Sequence, residues 1–534
     1  MVCRSYLLRL GCTVTGLRQA LAPPRAFRSD DPLTRWSRRL VNGWPKRCLH
    51  PHLCVGLEGC TSAFNALNSI RTCMHFATTF PPSFLSLERA EDIHSLHPRS
   101  TAQNVDPANE TRPGVMLSQV ARFGEDLFLN DPSHRQLPLV ALENYTTRSE
   151  SILSCRFPPA ARLVVGHENN GVSTKYIDEL DGNDRKGCRA ERVVYIPQYG
   201  TISSLNVVTS MGIALFYATL DTRYPSARTL VRGAEGGDTT GASSELEALQ
   251  AYQRFFRRRL PNTAAECSFS RVDQRPIHPL YYKENVFSII EMHRQLRQLL
   301  LQACSYRGVS ATPGHFGLSV LYENERDQRS LGGIVRNANA FLVDQVLYFG
   351  RKKINVVGTV GTQHYTPTVY LGSSISDVDD GGGDAENWAL KLFQRVEAAN
   401  GATAAWWFFD CGHAFLYREG ASGEETVEEK ERMKLRATTE AWSWYNAHRG
   451  DPDFNISLCD TEERLREAAQ GGVVLLVPQE GYLPPFHLLR RCQRILTVLP
   501  NGDMEGTAGL PVSVAGGIAL QRLSAVMHPQ VLIL

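Results

Sequence analysis

Short apolar runs alternate with helical patterns along this chain. The runs "RLVVGHE", "RVVYIPQ", "QVLYFG" and "GVVLLVPQE" are rich in Val, Leu and Tyr, and each is followed by a turn or a helical pattern. Continuous apolar runs of this length are typical of strands that are buried on both faces. The alternation therefore predicts an α/β fold with a mostly parallel sheet.

The same succession of elements occurs twice. Block one runs through "CVGLEGCTSAFNALNSIRTCMHF", "ARLVVGHENNGVS" and "YIPQYGTISSLNVVTSMGIALF". Block two runs through "LSVLYENERDQRSLGGIVRNANAFLVDQVLYFG", "GGVVLLVPQEGYLP" and "ILTVLPNGDMEGTAGLPVSVAGGIAL". In both blocks a strand and an arginine-bearing helix come first, then a strand ending in a turn with a glutamate. A third strand, a glycine turn and a helix of small residues complete each block, and this order predicts a duplicated α/β domain.

Polar stretches between these runs set the predicted domain boundaries. We predict a first domain over 49–228, a linker with a basic helix over 229–275, and a second domain over 276–534. The linker contains "RGAEGGDTTGASSE", which is rich in Gly, Ser and Thr and has no apolar periodicity. The second domain is predicted to carry an insertion at about 373–468, where acidic stretches indicate solvated segments.

Charge is distributed unevenly over the 534 residues. The net charge is +2, from 57 Lys and Arg against 55 Asp and Glu, but the first fifty residues hold ten basic and two acidic residues. The stretch up to Arg28 is rich in Arg and free of acidic residues. We therefore predict a mitochondrial presequence over 1–48 and a location in the matrix, with a disordered basic tail as the alternative. The rest of the chain is mildly acidic, so an RNA partner would meet local basic patches.

Composition argues against several classes of protein. The chain is 43% hydrophobic and 21% charged, as soluble globular proteins are. No uninterrupted apolar run is long enough to cross a bilayer, and we expect no membrane partner. The thirteen cysteines include no C-x-x-C pair, which argues against a zinc ribbon and against a disulfide scaffold. The segment "WWFFDCGH" is predicted to be core, and its Cys411 and His413 are not expected to bind a metal.

Block one contains three ordered motifs. The first is an Asn followed six positions later by an Arg at the start of a helix, here Asn65 and Arg71. The second is a strand that ends in Gly-x-Glu-x-x-Gly, here "GHENNGVS" from Gly166. The third is Ile-Pro-x-x-Gly followed by Ser-Leu-Asn-Val, here "IPQYGTISSLNV" from Ile196 to Val207. In this order, the three motifs resemble those of the SpoU/TrmH branch of the SPOUT RNA methyltransferases.

Block two carries the same motifs with departures. Arg336 occupies the arginine position of the first motif, and Glu480 remains in the second, where Pro478 replaces the first glycine. In the third motif, Gly509 and Pro511 stand where the family has Ser and Asn. A proline offers neither an amide side chain nor a backbone N–H. We therefore predict that block two does not bind cofactor in the way usual for the family.

The resemblance implies a fold and a cofactor. The implied fold has two tandem SPOUT-like domains, each with a parallel sheet whose C-terminal part forms a trefoil knot, a rare exception to unknotted topology. The two domains would pair as an intramolecular pseudodimer. The knot loops would bind S-adenosylmethionine, and the glycines would let the backbone approach this ligand closely. The implied cofactor-binding residues are Val165, Gly166, Glu168, Gly171, Ile196, Gly200, Leu205 and Asn206.

The implied reaction transfers a methyl group to a ribose 2′-hydroxyl of rRNA or tRNA. The implied catalytic residues are Asn65, Arg71, Glu168, Ser204 and Asn206. Since an arginine is almost never deprotonated, Arg71 is expected to clamp a phosphate and polarise the hydroxyl, and the others to orient it. Arg336 is expected to contribute from block two, and no metal is implied.

Two functions stay open at this point. One is an active mitochondrial RNA ribose methyltransferase. The other is a catalytically inactive, methyltransferase-like RNA-binding assembly factor of the mitochondrial ribosome, with the ribosomal subunit or assembly proteins as partners. Plainer interpretations also exist for the single residues. They are a surface charge for Arg71, a solvated turn for Glu168, and helix caps for Ser204 and Asn206. The plainer interpretation of Arg336 is a relic of duplication, and Arg257, Arg258 and Arg259 form either an RNA contact or a solvated helix end.

Overall fold

The computed structural model describes most of both blocks. The described residues are 53–60, 62–87, 121–144, 149–167, 171–177, 190–200, 204–230, 294, 297–298, 300–301, 314–325, 328–354, 358–359, 361–364, 366–373, 382–400, 404–413, 439–504 and 509–529. Predictions that concern the presequence, almost the whole linker, Glu168, Arg257, Arg258 and Arg259 fall outside these ranges.

Block one forms a seven-stranded, fully parallel sheet. Its strands are β1 (Leu53–Leu57), β2 (Ser83–Phe84), β3 (Arg122–Phe123), β4 (Leu139–Leu142), β5 (Ser149–Ser151), β6 (Ala161–Val165) and β7 (Arg192–Tyr195). They lie in the order β3-β2-β1-β6-β4-β7-β5. Every residue of the inner strands β1, β4 and β6 is buried, which explains their almost continuously apolar sequences.

Block two forms a second sheet of the same kind. Its strands are β8 (Leu318–Asn324), β9 (Gln345–Gly350), β10 (Thr368–Tyr370), β11 (Ala405–Asp410), β12 (Asn455–Ser457), β13 (Val473–Val477) and β14 (Arg494–Thr497). They lie in the order β10-β9-β8-β13-β11-β14-β12. Numbered from one to seven within each block, both sheets have the order 3-2-1-6-4-7-5. The prediction of two α/β domains with parallel sheets is confirmed.

The segment 373–468 is not wholly an insertion, contrary to the prediction. It contains β11 and β12, which are the fourth and fifth strands of block two in chain order. The strand β11 lies between β13 and β14 and includes the buried Trp406 and Trp407. The long polar stretches on either side of β11 concealed a central strand.

The helices of the described residues connect and cover these strands. They are α1 (Ala63–His75), α2 (Asp126–Leu129), α3 (Thr174–Ile177), α4 (Val207–Arg223), α5 (Gln328–Ala340), α6 (Gly382–Asn400), α7 (Thr439–His448), α8 (Glu462–Ala468), α9 (Phe486–Leu489), α10 (Asn501–Met504) and α11 (Val512–Met527). None of those in the described part is both long and apolar enough to span a bilayer.

The two blocks contact each other reciprocally through α4 and α11. A Cβ atom added at Gly212 of α4 would lie 2.6 Å from Cγ1 of Val514 on α11. Conversely, a Cβ atom at Gly517 of α11 would overlap Cγ2 of Thr209 on α4. The two glycines are both the sixth residue of their helix, and the facing residues are both the third. Such an exchange of equivalent contacts is the mark of an interface with two-fold symmetry.

Candidate active site

A cleft opens at the carboxyl ends of β4, β6 and β7 in block one. This edge is where open parallel sheets bind their ligands. The cleft encloses about 570 Å³ of empty space, including its mouth to solvent. It is lined by Leu142, Glu143, Asn144, Val165, Gly166, His167, Gly171, Tyr195, Ile196, Gln198, Ser204, Leu205, Val207 and Ser210.

Several residues predicted from the second and third motifs line this cleft. They are Val165, Gly166, Gly171, Ile196, Ser204 and Leu205. The strands β6 and β7 end at Val165 and Tyr195, so each motif begins where its strand leaves the sheet. Since the two strands flank β4, both motifs arrive at the same edge.

The glycines of the motifs serve contacts between segments of the chain. A Cβ atom at Gly166 would overlap the backbone of Gly171 and Val172, and Gly171 has a positive φ of 71°. Gly200 is not among the lining residues, because it faces block two, where a Cβ atom would overlap the carbonyl group of Asn339. Glycine is therefore required at these positions by the approach of the backbone to itself and to block two.

Sequence analysis missed five polar residues of the cleft, which are Glu143, Asn144, His167, Gln198 and Ser210. Glu143, directly after β4, accepts hydrogen bonds from the amides of Asn144 at 2.8 Å and Val172 at 2.7 Å. This carboxylate ties the loop after β6 to the end of β4. Gln198 lines the cleft with a buried Oε1 atom that has no hydrogen-bond partner among the described residues. A usable signal was the apolar run "PLVAL" before Glu143, which matches the runs that precede the other motifs.

Asn206 and Asn65 join α4 to α1 and do not line the cleft. The Oδ1 atom of Asn206 accepts from the amide of Val208 at 2.9 Å and so caps α4. Its Nδ2 atom donates to Oδ1 of Asn65 at 3.1 Å. The side chain of Asn206 is therefore a helix cap, whereas its neighbour Ser204 lines the cleft.

Arg71 points into block two. Only 1% of this residue is exposed. Its Nε atom donates to the carbonyl oxygen of Gly509 at 3.1 Å, and Nη2 donates to that of Leu510 at 3.2 Å. Nη1 forms an ion pair with Glu480. The arginine expected to act at the block-one cleft is instead buried against the second and third motifs of block two.

Arg336 makes the reciprocal contact. Its Nε and Nη2 atoms donate to the carbonyl oxygen of Ser204 at 3.1 and 2.9 Å, and Nη2 lies 3.2 Å from the hydroxyl of Ser204. Both arginines are the ninth residue of their helices, α1 and α5. Ser204 and Gly509 both lie three residues before α4 and α11 begin. The arginine of each block thus contacts the third motif of the other block. The arginine at the block-one cleft is therefore Arg336.

In block two, side chains of the protein occupy the corresponding edge. His413 is fully buried, and its Nδ1 atom accepts from the amide of Gly481 at 3.2 Å. Its Nε2 atom lies 2.7 Å from both the carbonyl oxygen of Leu510 and Nη2 of Arg71. Burial and the charge of Arg71 hold the pKa of His413 well below its usual value, so the ring is neutral. Within the described ranges, no group of three or more His, Cys, Asp or Glu residues is placed to hold a metal ion.

Comparison with known proteins yields structural likenesses alone, since no protein-family model and no curated protein matches the sequence. One similar structure is the SpoU methyltransferase AviRb from Streptomyces viridochromogenes, with 11% identity over 41% of this chain and 62% of that one and a TM-score of 0.24. Another is an AdoMet-bound rRNA methyltransferase from Sinorhizobium meliloti, with 18% identity over 34% and 59% and a TM-score of 0.22. A third is a TrmH/SpoU tRNA modifying enzyme from A. aeolicus, with 15% identity over 46% and 87% and a TM-score of 0.24.

The first and third of these structures are named as SpoU or TrmH/SpoU enzymes, the type that the sequence motifs resemble. The chain spans about three fifths of the length of the first two. Identities and TM-scores of this size assign no activity, substrate or partner to this chain.

Proposed function

We propose that this protein is an S-adenosylmethionine-dependent methyltransferase that modifies the ribose 2′-hydroxyl of an RNA. One observation carries the proposal: the motif-lined cleft of block one has an arginine of block two at its rim. That arginine, Arg336, contacts Ser204, which itself lines the cleft.

The lining residues fit the proposed cofactor. Leu142, Val165, Ile196 and Leu205 provide apolar walls for an adenine ring, and polar groups lie among them. The unpaired Oε1 atom of Gln198 is an acceptor for an amino donor such as the adenine 6-amino group. When bound, S-adenosylmethionine would supply an electrophilic methyl group on its sulfonium.

The residues of the chain would bind and orient the RNA hydroxyl. Arg336 stays protonated, so it would hold a phosphate or stabilise negative charge on the ribose oxygen rather than accept a proton. We assign this role to Arg336 in place of Arg71, because Arg336 contacts a residue that lines the block-one cleft whereas Arg71 contacts block two. Asn65 and Asn206 would act indirectly by fixing the start of α4. A role for Glu168 stays a prediction.

Titration calorimetry with S-adenosylmethionine tests the proposal. The wild-type chain should bind one equivalent with micromolar affinity. Gln198→Leu should weaken binding about tenfold, the worth of one buried hydrogen bond of about 1.4 kcal/mol. Replacing the exposed Gln298 by Leu should change nothing and is the matched control.

Methyl transfer to RNA then separates the two functions left open by the sequence. Arg336→Lys should lower the transfer rate while leaving cofactor affinity nearly unchanged, because lysine lacks the forked donor geometry. No binding at millimolar cofactor would refute the enzyme and leave the inactive RNA-binding assembly factor.

We further propose a mitochondrial substrate, supported by the arginine-rich, acid-free stretch up to Arg28. rRNA and tRNA are both candidates, and ribosomal or assembly proteins are candidate partners. Mapping ribose methylation in organellar RNA after depletion of the protein would identify the modified nucleotide. Unchanged organellar methylation would contradict this part of the proposal.

We also propose that the two blocks act as an intramolecular pseudodimer of knotted domains. The reciprocal contacts of α4 with α11, and of the two arginines with the opposite third motifs, support the pairing. Light scattering after size exclusion should then give the mass of one chain, 59.5 kDa before any processing. An obligate homodimer joined through block one would count against it.

A further inference from the structure

Block two presents three consecutive exposed cations at the carboxyl end of β9. Arg351, Lys352 and Lys353 come directly after the strand, and all three are exposed. We call these three residues the basic ridge. Neither the proposed cofactor cleft nor the motifs account for it.

The backbone of the basic ridge is held from below by buried side chains. Nδ2 of Asn324, which is fully buried, donates to the carbonyl oxygens of Arg351 at 2.6 Å and Lys353 at 3.2 Å. The hydroxyl of Tyr348 donates to the carbonyl oxygen of Lys352 at 2.8 Å. The amide of Arg351 donates to the carbonyl oxygen of Asn324 at 2.8 Å. All three carbonyl groups therefore point inward to donors, and the backbone that carries the three cations is fixed.

The cations of the ridge have no carboxylate partner among the residues that the structure describes. Two carboxylates lie at the end of the neighbouring strand β8: Glu323, which is buried, and Glu325, which is half-buried beside Gly350. Elsewhere in block two exposed arginines are paired, as Arg490 is with Glu386 at 2.6 Å. Within the described part of the chain, the ridge is thus a concentrated positive charge without an ion-pair partner.

The ridge lies in the chain between two elements that contact the helix bearing Arg336. The short 3₁₀ helix Thr362–His364, which comes after the ridge in the chain, contacts α5, and so do β8 and β9. Arg336 projects from α5 to Ser204 at the cleft of block one. The ridge therefore belongs to the same packed block as the arginine at the rim of the cleft.

We propose that the basic ridge binds phosphates of the RNA substrate and docks that RNA on block two while block one acts on it. This inference rests on the proposed function for the identity of the polyanion. Three exposed cations on a fixed backbone are suited to contact phosphates of a nucleic acid, which dominate the affinity of such complexes. An acidic protein segment is the competing ligand, and the experiment distinguishes the two.

The test uses the full chain and a fluorescein-labelled RNA hairpin of 30 nucleotides as the probe. Each phosphate contact contributes a slope of about 0.7 to 0.9 to the dependence of log affinity on log salt. Changing all three cations to Gln should therefore reduce the slope by about 2 to 3. At 0.1 M salt the same three contacts correspond to an affinity loss of about 100- to 500-fold. Single Lys352→Gln and Lys353→Gln variants should each remove about one third of the slope change.

The matched control changes two exposed cations away from the ridge, Arg135→Gln with Lys391→Gln, and should keep both affinity and slope. Thermal melting should agree for all variants, because the altered side chains are exposed. Hairpin affinity within twofold of wild type in the triple variant would overturn the proposal. So would an equal loss in the control, or a loss confined to binding of a poly-glutamate peptide.

Calorimetry with S-adenosylmethionine on the same variants keeps this proposal separate from the proposed function. If wild type binds the cofactor and the triple variant still binds the hairpin, the ridge proposal alone fails. If no variant binds the cofactor but the triple variant loses the hairpin, the proposed function fails and the ridge stands.

Discussion

Removing the side chain of Arg71 should destabilise the protein through the contact between its blocks. Its guanidinium group is 1% exposed, pairs with Glu480, and donates to the carbonyl oxygens of Gly509 and Leu510. Arg71→Met would leave the Glu480 carboxylate, whose side chain is 12% exposed, without its counter-charge, and the buried carbonyl group of Gly509 without the donor that Arg71 supplies, while the carbonyl group of Leu510 keeps its contact with His413. Breaking a buried ion pair in this way costs about 3–5 kcal/mol.

Glu480→Gln should cost less, about 2 kcal/mol, because the amide oxygen still accepts from Arg71 and the two carbonyl contacts remain. The double variant Arg71→Met with Glu480→Gln should be more stable than the sum of the single losses predicts, since neither charge is then stranded. Arg336→Met is the matched control from block two, where the arginine donates to Ser204 and is 7% exposed. Its cost should be about 1–2 kcal/mol.

Urea unfolding followed by circular dichroism measures these differences as shifts of the transition midpoint. Methyl transfer is assayed in parallel on the folded variants. If Arg71→Met kept the stability of wild type within about 0.5 kcal/mol, the effect of an ordinary surface change, and still abolished transfer, Arg71 would be catalytic. The structural reasoning would then be wrong.

The structure predicts three further outcomes. Gly212→Ala should lower stability by about 1–3 kcal/mol, because its Cβ atom would lie 2.6 Å from the facing valine of α11. Gly516→Ala should be neutral or stabilising, because its Cβ atom would lie 3.7 Å from its nearest neighbour. Melting temperatures of the two variants check this difference. Asn206→Ala should lower the free energy of unfolding in urea by about 1 kcal/mol, and Asn206→Ser should keep most of the wild-type stability because serine also caps helices. Loss of cofactor binding in the folded Asn206→Ser variant would instead indicate that Asn206 contacts the ligand. Burial, with the charge of Arg71, lowers the pKa of His75 to about 3 and holds that of His413 well below its usual value. Both rings therefore stay neutral in the folded state, whereas in the unfolded chain both histidines become protonated below about pH 6.5. The free energy of unfolding should therefore fall below that pH, by up to about 1.4 kcal/mol per pH unit for each histidine. Urea midpoints at pH 7.5 and 5.0, with His75→Gln as the comparison, check this, and equal midpoints would contradict it.

The architecture was largely predictable because it depends on local patterns. Apolar runs mark strands wherever they occur, and the two blocks repeat the same succession of runs. The segment Trp406–His413 was correctly predicted to be core. The error over 373–468 has a physical cause as well, since a central strand between two long polar stretches looks like part of an insertion until its neighbours in the sheet are known.

The site was predictable only as far as the motifs determine it. Residues at strand ends, such as Val165 and Ile196, reach the cleft because their strands are neighbours of β4 in the sheet. The contact of Arg71 with block two depends on how the two blocks pack together, and no local sequence pattern predicts that packing. The role of Glu143 depends on β4 lying between β6 and β7, so it too required the tertiary structure.

The equivalent starts of α4 and α11 illustrate a consequence of joining two halves in one polypeptide. Asn206 caps the first helix through its side chain, and Pro511 stands at the start of the second with no side-chain hydrogen bond. In an assembly of identical subunits, one altered codon would change both positions at once. Here each position has its own codon, so one half can lose a group that the other half retains.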